Sequence, residues 1–139
     1  MVNLRFLLDS NILSEPLRPQ PNTKVMEKLI QHQQEIATAT VVWHELLFGC
    51  YRLPDSKRRR NIEEYLQGTQ LRLPLLSYDN QAATWHAKER SRLVKLGKTP
   101  PFADGQIAAI AYANQLILVT NNISDYREFE GLKIENWHQ

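Results

Sequence analysis

Two habits alternate along the chain. Short, nearly unbroken apolar runs at Phe6–Leu8, Ile36–Thr38, Leu71–Leu76, Leu116–Val119 and Leu132–Ile134 read as buried strands. Longer stretches of helical spacing lie between them. Asn22 or Thr23 caps a helix with Val25, Met26, Leu29 and Ile30 on one face. Another starts at Thr40 or the residue before it, with Val41, Val42, Leu46 and Leu47 apolar and Gly49 near its end. A charged helix from about Ser56 to Gln67 turns Ile62, Tyr65 and Leu66 inwards. Asp79 caps a long helix to about Leu96, which Gly97 ends. Pro100-Pro101-Phe102 forms a rigid lead-in to a very apolar helix, Ala103–Asn114, and a short turn or helix spans Asp125–Phe129.

The breaks agree with this division. The prolines of Glu15–Pro21 make a stiff connector that cannot continue a helix, and Leu53-Pro54-Asp55 interrupts the chain again. After the first strand, Ser10 is expected to cap a helix starting at Ile12. Pro74 argues for an edge position for the third strand. Strands alternating with helices predict an α/β domain with a mostly parallel sheet. The 139 residues suit one domain over 1–139, with no repeat, low-complexity tract or second unit.

Composition narrows the class without naming an activity. Apolar (42%) and charged (23%) contents are those of an ordinary globular protein. No apolar run approaches the roughly 18 residues that a membrane span needs. The amino terminus carries no secretory pattern and Cys50 is the lone cysteine, so a cytoplasmic protein is expected. The net charge of +2 is too small to predict nucleic-acid binding by itself. The basic residues cluster, however: Lys57-Arg58-Arg59-Arg60 compactly, and Lys88, Arg90, Arg92, Lys95 and Lys98 more loosely. Such runs are ordinarily solvated helix faces, and they gain meaning only near a phosphate-cleaving site.

Four carboxylates occur where the pattern makes polar groups awkward. Asp9 ends an apolar strand, Glu45 lies within an apolar helix, Asp104 opens the most apolar helix, and Asp125 follows a buried strand by one turn. Each has an ordinary explanation, such as a cap or a first-turn acid facing the helix dipole. Taken jointly they have another. Strand carboxyl ends gather on one edge of a parallel sheet, and the Asp104 helix can start there. Two carboxylates about 4 Å apart repel by roughly 4 kcal/mol at an effective dielectric near 20, so a cluster would take up protons or a cation. All-oxygen ligands favour Mg²⁺ or Mn²⁺, which can activate water against a phosphate. Asn11, Thr120 and Asn121 are short polar groups at the same edge. Zinc is disfavoured, because His32, His44, His86 and His138 show no paired spacing. Neither a nucleophile elbow nor a glycine-rich phosphate loop is present.

Four motifs in order resemble the PIN-domain ribonucleases, and within them the VapC toxins of bacterial type II toxin–antitoxin pairs. They are Leu7-Leu8-Asp9-Ser10-Asn11-Ile12-Leu13, Glu45-Leu46-Leu47-Phe48-Gly49, Pro101-Phe102-Ala103-Asp104 through Ile107-Ala108-Ala109, and Val119-Thr120-Asn121-Asn122 through Asp125-Tyr126. The likeness runs to the Gly131-Leu132 and Asn136-Trp137 ending. It implies a three-layer α/β/α PIN fold and a Mg²⁺- or Mn²⁺-dependent endoribonuclease that inhibits translation. Its implied partners are RNA, with transfer RNA among the candidates, a VapB-type antitoxin with a basic tail, and a second copy in a homodimer.

By the same resemblance Asp9, Glu45, Asp104 and Asp125 are the catalytic set, with Asp9 and Asp104 as metal ligands. Asn11, Thr120, Asn121 and Asn122 are supporting polar groups. Some relatives have an acid where this chain has Asn122, so the fourth carboxylate is either Asp125 at longer range or is replaced by an amide. Arg58, Arg59, Arg60, Arg90 and Arg92 become candidate contacts for RNA phosphates. Two rival readings are an aspartate-nucleophile phosphatase, which lacks a second acid at Asn11, and a PIN-like module that binds without cutting.

Overall fold

β1 (Phe6–Leu8) is the middle of a five-stranded sheet of order β3-β2-β1-β4-β5. In the computed structural model, which describes residues 3–139, the other strands are β2 (Ile36–Ala39), β3 (Leu75–Leu76), β4 (Ile117–Val119) and β5 (Ile134–Glu135). All four pairings are parallel, where a mostly parallel sheet was expected. Being central explains why Phe6, Leu7 and Leu8 are an unbroken apolar run: both faces are covered, and each is at most 2% exposed.

Helices pack against the sheet as α1 (Ser10–Leu13), α2 (Thr23–Gln31), α3 (Thr40–Tyr51), α4 (Lys57–Arg72), α5 (Asn80–Lys95) and α6 (Phe102–Ala113). Ile107, Ala108, Ile110 and Ala111 of α6 and Val42 of α3 join the strand residues in one core. Small alanines on α6 let that helix approach the sheet closely. Trp137 extends the core at the far end, meeting Phe6 edge-on at 5.1 Å.

The topology positions the site. Connections from β1 run outward through β2 to β3, and the chain then returns through α5 and α6 to lay β4 on the other side of β1. Order reverses between β1 and β4, and open parallel sheets bind ligands at the carboxyl ends of the strands flanking such a reversal. Register pairs Leu8 with Val119, so the next residues, Asp9 and Thr120, leave the sheet side by side.

Several boundaries differ from expectation. The first helix starts at Ser10, and its cap is Asp9, whose carboxylate accepts from the Ser10 N–H. Helix α4 continues to Arg72, past Gly68, because Thr69 is buried and bonds the Tyr65 carbonyl. That leaves Leu71 on the helix surface and reduces β3 to two residues on the edge predicted by Pro74. The last strand lies two residues later than the apolar run, at Ile134–Glu135. Ile30 is 68% exposed rather than inward, on an open groove of about 420 Å³ between α2 and α4. The proline connector holds one 3-10 turn, Glu15–Leu17. Glu15 is buried there, accepting from the Asn22 N–H and meeting His138 Nε2 at 3.1 Å.

Candidate active site

Asp9 is the most constrained of the four acids. It is buried, and both carboxylate oxygens are engaged. Oδ1 accepts from the Ser10 N–H at 2.8 Å. Oδ2 accepts from Thr120 Oγ1 at 2.9 Å, Tyr126 OH at 3.3 Å and Asn11 Nδ2 at 3.4 Å. Burial nevertheless raises the Asp9 pKa, outweighing these donors, and the Asp125 charge adds to the rise.

Asn11, Thr120, Asn121 and Asn122 form a scaffold around that carboxylate. Asn11 Nδ2 also reaches Thr120 Oγ1 at 3.3 Å, and its Oδ1 accepts from the Asn121 N–H at 2.9 Å. Thr120 Oγ1 accepts in turn from the Asn122 N–H at 3.0 Å. Asn136 Nδ2 closes the outer end on Asn121 Oδ1. The expected supporting residues are thus brought together. Asn122 contributes its backbone N–H here.

Asp104 stands in the first turn of α6, half-buried. Burial, then the charges of Asp125 and Asp9, push its carboxyl up to about 6, with the Tyr126 hydroxyl acting the other way. Glu45, half-buried on α3, is also raised, by burial first and then by Asp9 and Asp104. The nearby Ser10 side chain offsets part of that rise. Asp125 ends the 3-10 turn Ile123–Asp125 and is exposed, yet its charge is felt at both Asp9 and Asp104. The four acids therefore share one electrostatic field.

The larger concavities, about 620 and 420 Å³, are lined by none of the four acids. Among the described residues no three His, Cys, Asp or Glu side chains close into a cage for a metal. A hydrated Mg²⁺ or Mn²⁺ fits this donor set, because it needs only one or two carboxylates and keeps several waters. Asp9 and Asp104, both raised by burial first and then by neighbouring negative charge, are the pair that would hold it.

Tyr126 is the residue that sequence reasoning missed. It is buried, and burial beside Asp9 and Asp104 pushes its phenol far up, so it remains a donor at neutral pH. The sequence signal was an aromatic one residue after Asp125, which reads equally as core.

The basic candidates separate. Arg59 is committed to Glu63 at 2.9 Å and to the Leu53 carbonyl, and Arg60 reaches Asp55 at 3.1 Å. Arg92 holds Glu89 at 2.8 Å and the Glu128 carbonyl. Arg58 and Arg90 carry no ion pair among the described residues, and Arg90 lies over the Phe102 ring at the start of α6, 5.2 Å from its centroid.

Comparison with known proteins follows this geometry. A model of the PIN domain matches residues 6–130. The toxin FitB of Neisseria gonorrhoeae is 33% identical over 138 residues, covering 95% of this chain and 98% of that one. The tRNA(fMet)-specific endonuclease VapC of Shigella flexneri is 30% identical over 134 residues, covering 96% and 98%. Among solved structures, FitAB bound to an IR36 DNA fragment superposes with a TM-score of 0.87 at 28% identity, covering 96% of both chains. DNA-bound VapBC from Salmonella typhimurium gives 0.83 at 27% identity, covering 96% and 98%.

Proposed function

We propose, for a chain that belongs to the PIN-domain family, the activity of a divalent-cation-dependent endoribonuclease acting as the toxin of a VapBC-type pair. The observation that carries this reading is the meeting of Asp9, Thr120 and Tyr126 at the sheet's reversal point, within the field of Asp104. A cation held by Asp9 and Asp104, Mg²⁺ or Mn²⁺, would lower the pKa of a bound water and offset charge on the phosphate.

The chain's own groups supply the rest. Thr120, Asn11 and Ser10 hold the Asp9 carboxylate in one orientation, which is what a ligand needs before it binds. Glu45, raised by burial and then by Asp9 and Asp104, takes up a proton more readily than an ordinary glutamate. Asp125 and Glu45 keep the edge strongly negative, so a polyanion approaches productively only when cations offset that charge. Arg90 is the basic side chain best placed to meet a phosphate.

An antitoxin of VapB type is the partner, and a basic tail on it would complement this acidic edge. The relatives named as tRNA(fMet)-specific make transfer RNA the first substrate to assay. A homodimer is the expected assembly. Among the described residues no helix is long and apolar enough to cross a membrane.

The deciding experiment uses the full chain freed of antitoxin. Cleavage of RNA with Mg²⁺ or Mn²⁺, lost with chelator and in Asp104→Asn, supports the reading. Undiminished cleavage in excess chelator overturns it.

A further inference from the structure

Phe102 opens α6 with half of its side chain exposed, two residues before Asp104. A lone exposed aromatic means little, since globular surfaces carry many apolar atoms. This one is mounted. The Arg90 guanidinium lies 5.2 Å from the ring centroid, and His86 packs against the ring at 4.9 Å. Both come from α5, four residues apart, so one helix backs the ring while the remainder faces solvent.

The mounting is itself fixed. His86 is buried, and its Nδ1 is 2.8 Å from the Tyr78 hydroxyl. Gly105 provides the room, since a Cβ there would fall 2.1 Å from His86 Nε2. Pro100 and Pro101 stiffen the approach to the helix. The chain thus holds together, at the lip of the acidic edge, an aromatic ring and a guanidinium that makes no ion pair among the described residues.

We propose that Phe102, backed by Arg90, is a stacking seat for one unpaired base of the RNA substrate; this rests on the ribonuclease reading above. Bases of single-stranded RNA stack on aromatic faces and guanidinium planes, whereas bases inside a duplex are not offered. Phe102 and Asp104 leave the first turn of α6 on different sides, but a helix is only about 10–12 Å across with its side chains, so a base on Phe102 belongs to a nucleotide near the phosphate at Asp104 rather than to a distant one. The seat favours a nucleobase over an apolar peptide because Arg90 brings charge that a phosphodiester satisfies and an apolar side chain does not. The feature this seat selects is therefore an unstacked base within a nucleotide or so of the phosphate that meets Asp104.

The test uses full-length protein carrying Asp9→Asn, which binds without cutting, and a short single-stranded RNA containing 2-aminopurine. Binding with quenched fluorescence is expected. Adding Phe102→Leu should weaken binding about tenfold and remove the quench, and Phe102→Trp should restore both. In the cleaving protein, Phe102→Leu should act more on KM than on kcat. Equal affinity and quench with Phe102→Leu would overturn the seat while leaving the nuclease intact. Dissociation of a dimer by Phe102→Leu in sedimentation, with RNA binding unchanged, would overturn it too, making the ring a subunit contact. If the parent protein neither cuts nor binds RNA, the ribonuclease reading fails rather than the seat alone.

Discussion

The Tyr126 hydroxyl donates to Asp9 Oδ2 across 3.3 Å, joining residues 117 positions apart. With Thr120 and Asn11 on the same oxygen, three donors crowd an atom that has two lone pairs. A cation approaching that oxygen competes with the phenol. Tyr126→Phe keeps the ring and removes the competitor. Mn²⁺ is expected to bind a few-fold tighter by calorimetry, while the chelated protein melts several degrees lower through loss of a hydrogen bond to a charged group. Unchanged Mn²⁺ affinity would show that the hydroxyl does not occupy the cation's place.

In chelator, Asp104 gives the stability a pH dependence of definite sign. Its carboxyl is raised from 3.8 to about 6, so the folded protein keeps a proton that the unfolded chain has released. That contribution is complete below pH 3.8 and is lost as pH rises through about 6. Glu15, Glu89 and Glu128 are lowered and work the other way. The Asp104 part is therefore read as a difference. Melting of Asp104→Asn minus that of the parent should grow between pH 4.5 and 7, and a flat difference would refute the assignment.

Asp9→Asn should cost activity and spare the fold. The Asn carbonyl can still cap α1 at the Ser10 N–H, and the Tyr126 hydroxyl can turn to accept from the new amide, while Thr120 Oγ1, already accepting from Asn11 and Asn122, gives up one hydrogen bond. Because Asp9 is buried with a raised pKa, the neutral isostere removes an unfavourable charge. RNA cleavage is expected to vanish while the chelated variant at pH 7.5 melts no lower than the parent.

How far the site was legible depends on what each residue announces. Asp9 and Asp104 stood out because an acid ending an apolar strand, or opening an apolar helix, conflicts with its surroundings. Thr120 and Asn11 were placed by topology, since strand ends share an edge. Tyr126 announced nothing, because tyrosine serves cores and sites alike and only coordinates aim its hydroxyl. The ion pairs of Arg59 and Arg92 were equally silent: helical spacing offers Glu63 and Glu89, yet a basic run in sequence looks free until its partners are seen. In the fold, Leu71 misled. An exposed leucine at a helix end extended an apolar run and lengthened β3 on paper.

Gly105→Ala tests the joint between α5 and α6. The added methyl would meet His86 Nε2 at 2.1 Å, and Tyr78 and Phe102 limit how far the imidazole can retreat. Destabilisation of about 1–3 kcal/mol is expected in urea unfolding. His86→Ala should relieve part of it, so the double variant falls short of the sum of the two singles. Strict additivity would mean the two residues do not press on one another.

The hydrogen bonds from Thr120 and Tyr126 to Asp9 also set a schedule for synthesis. Asp9 is made 111 residues before Thr120 and 117 before Tyr126, so the strand beside it and the donors that orient it, at 117–126, arrive long after it. A nascent or prematurely ended chain cannot assemble the cutting edge.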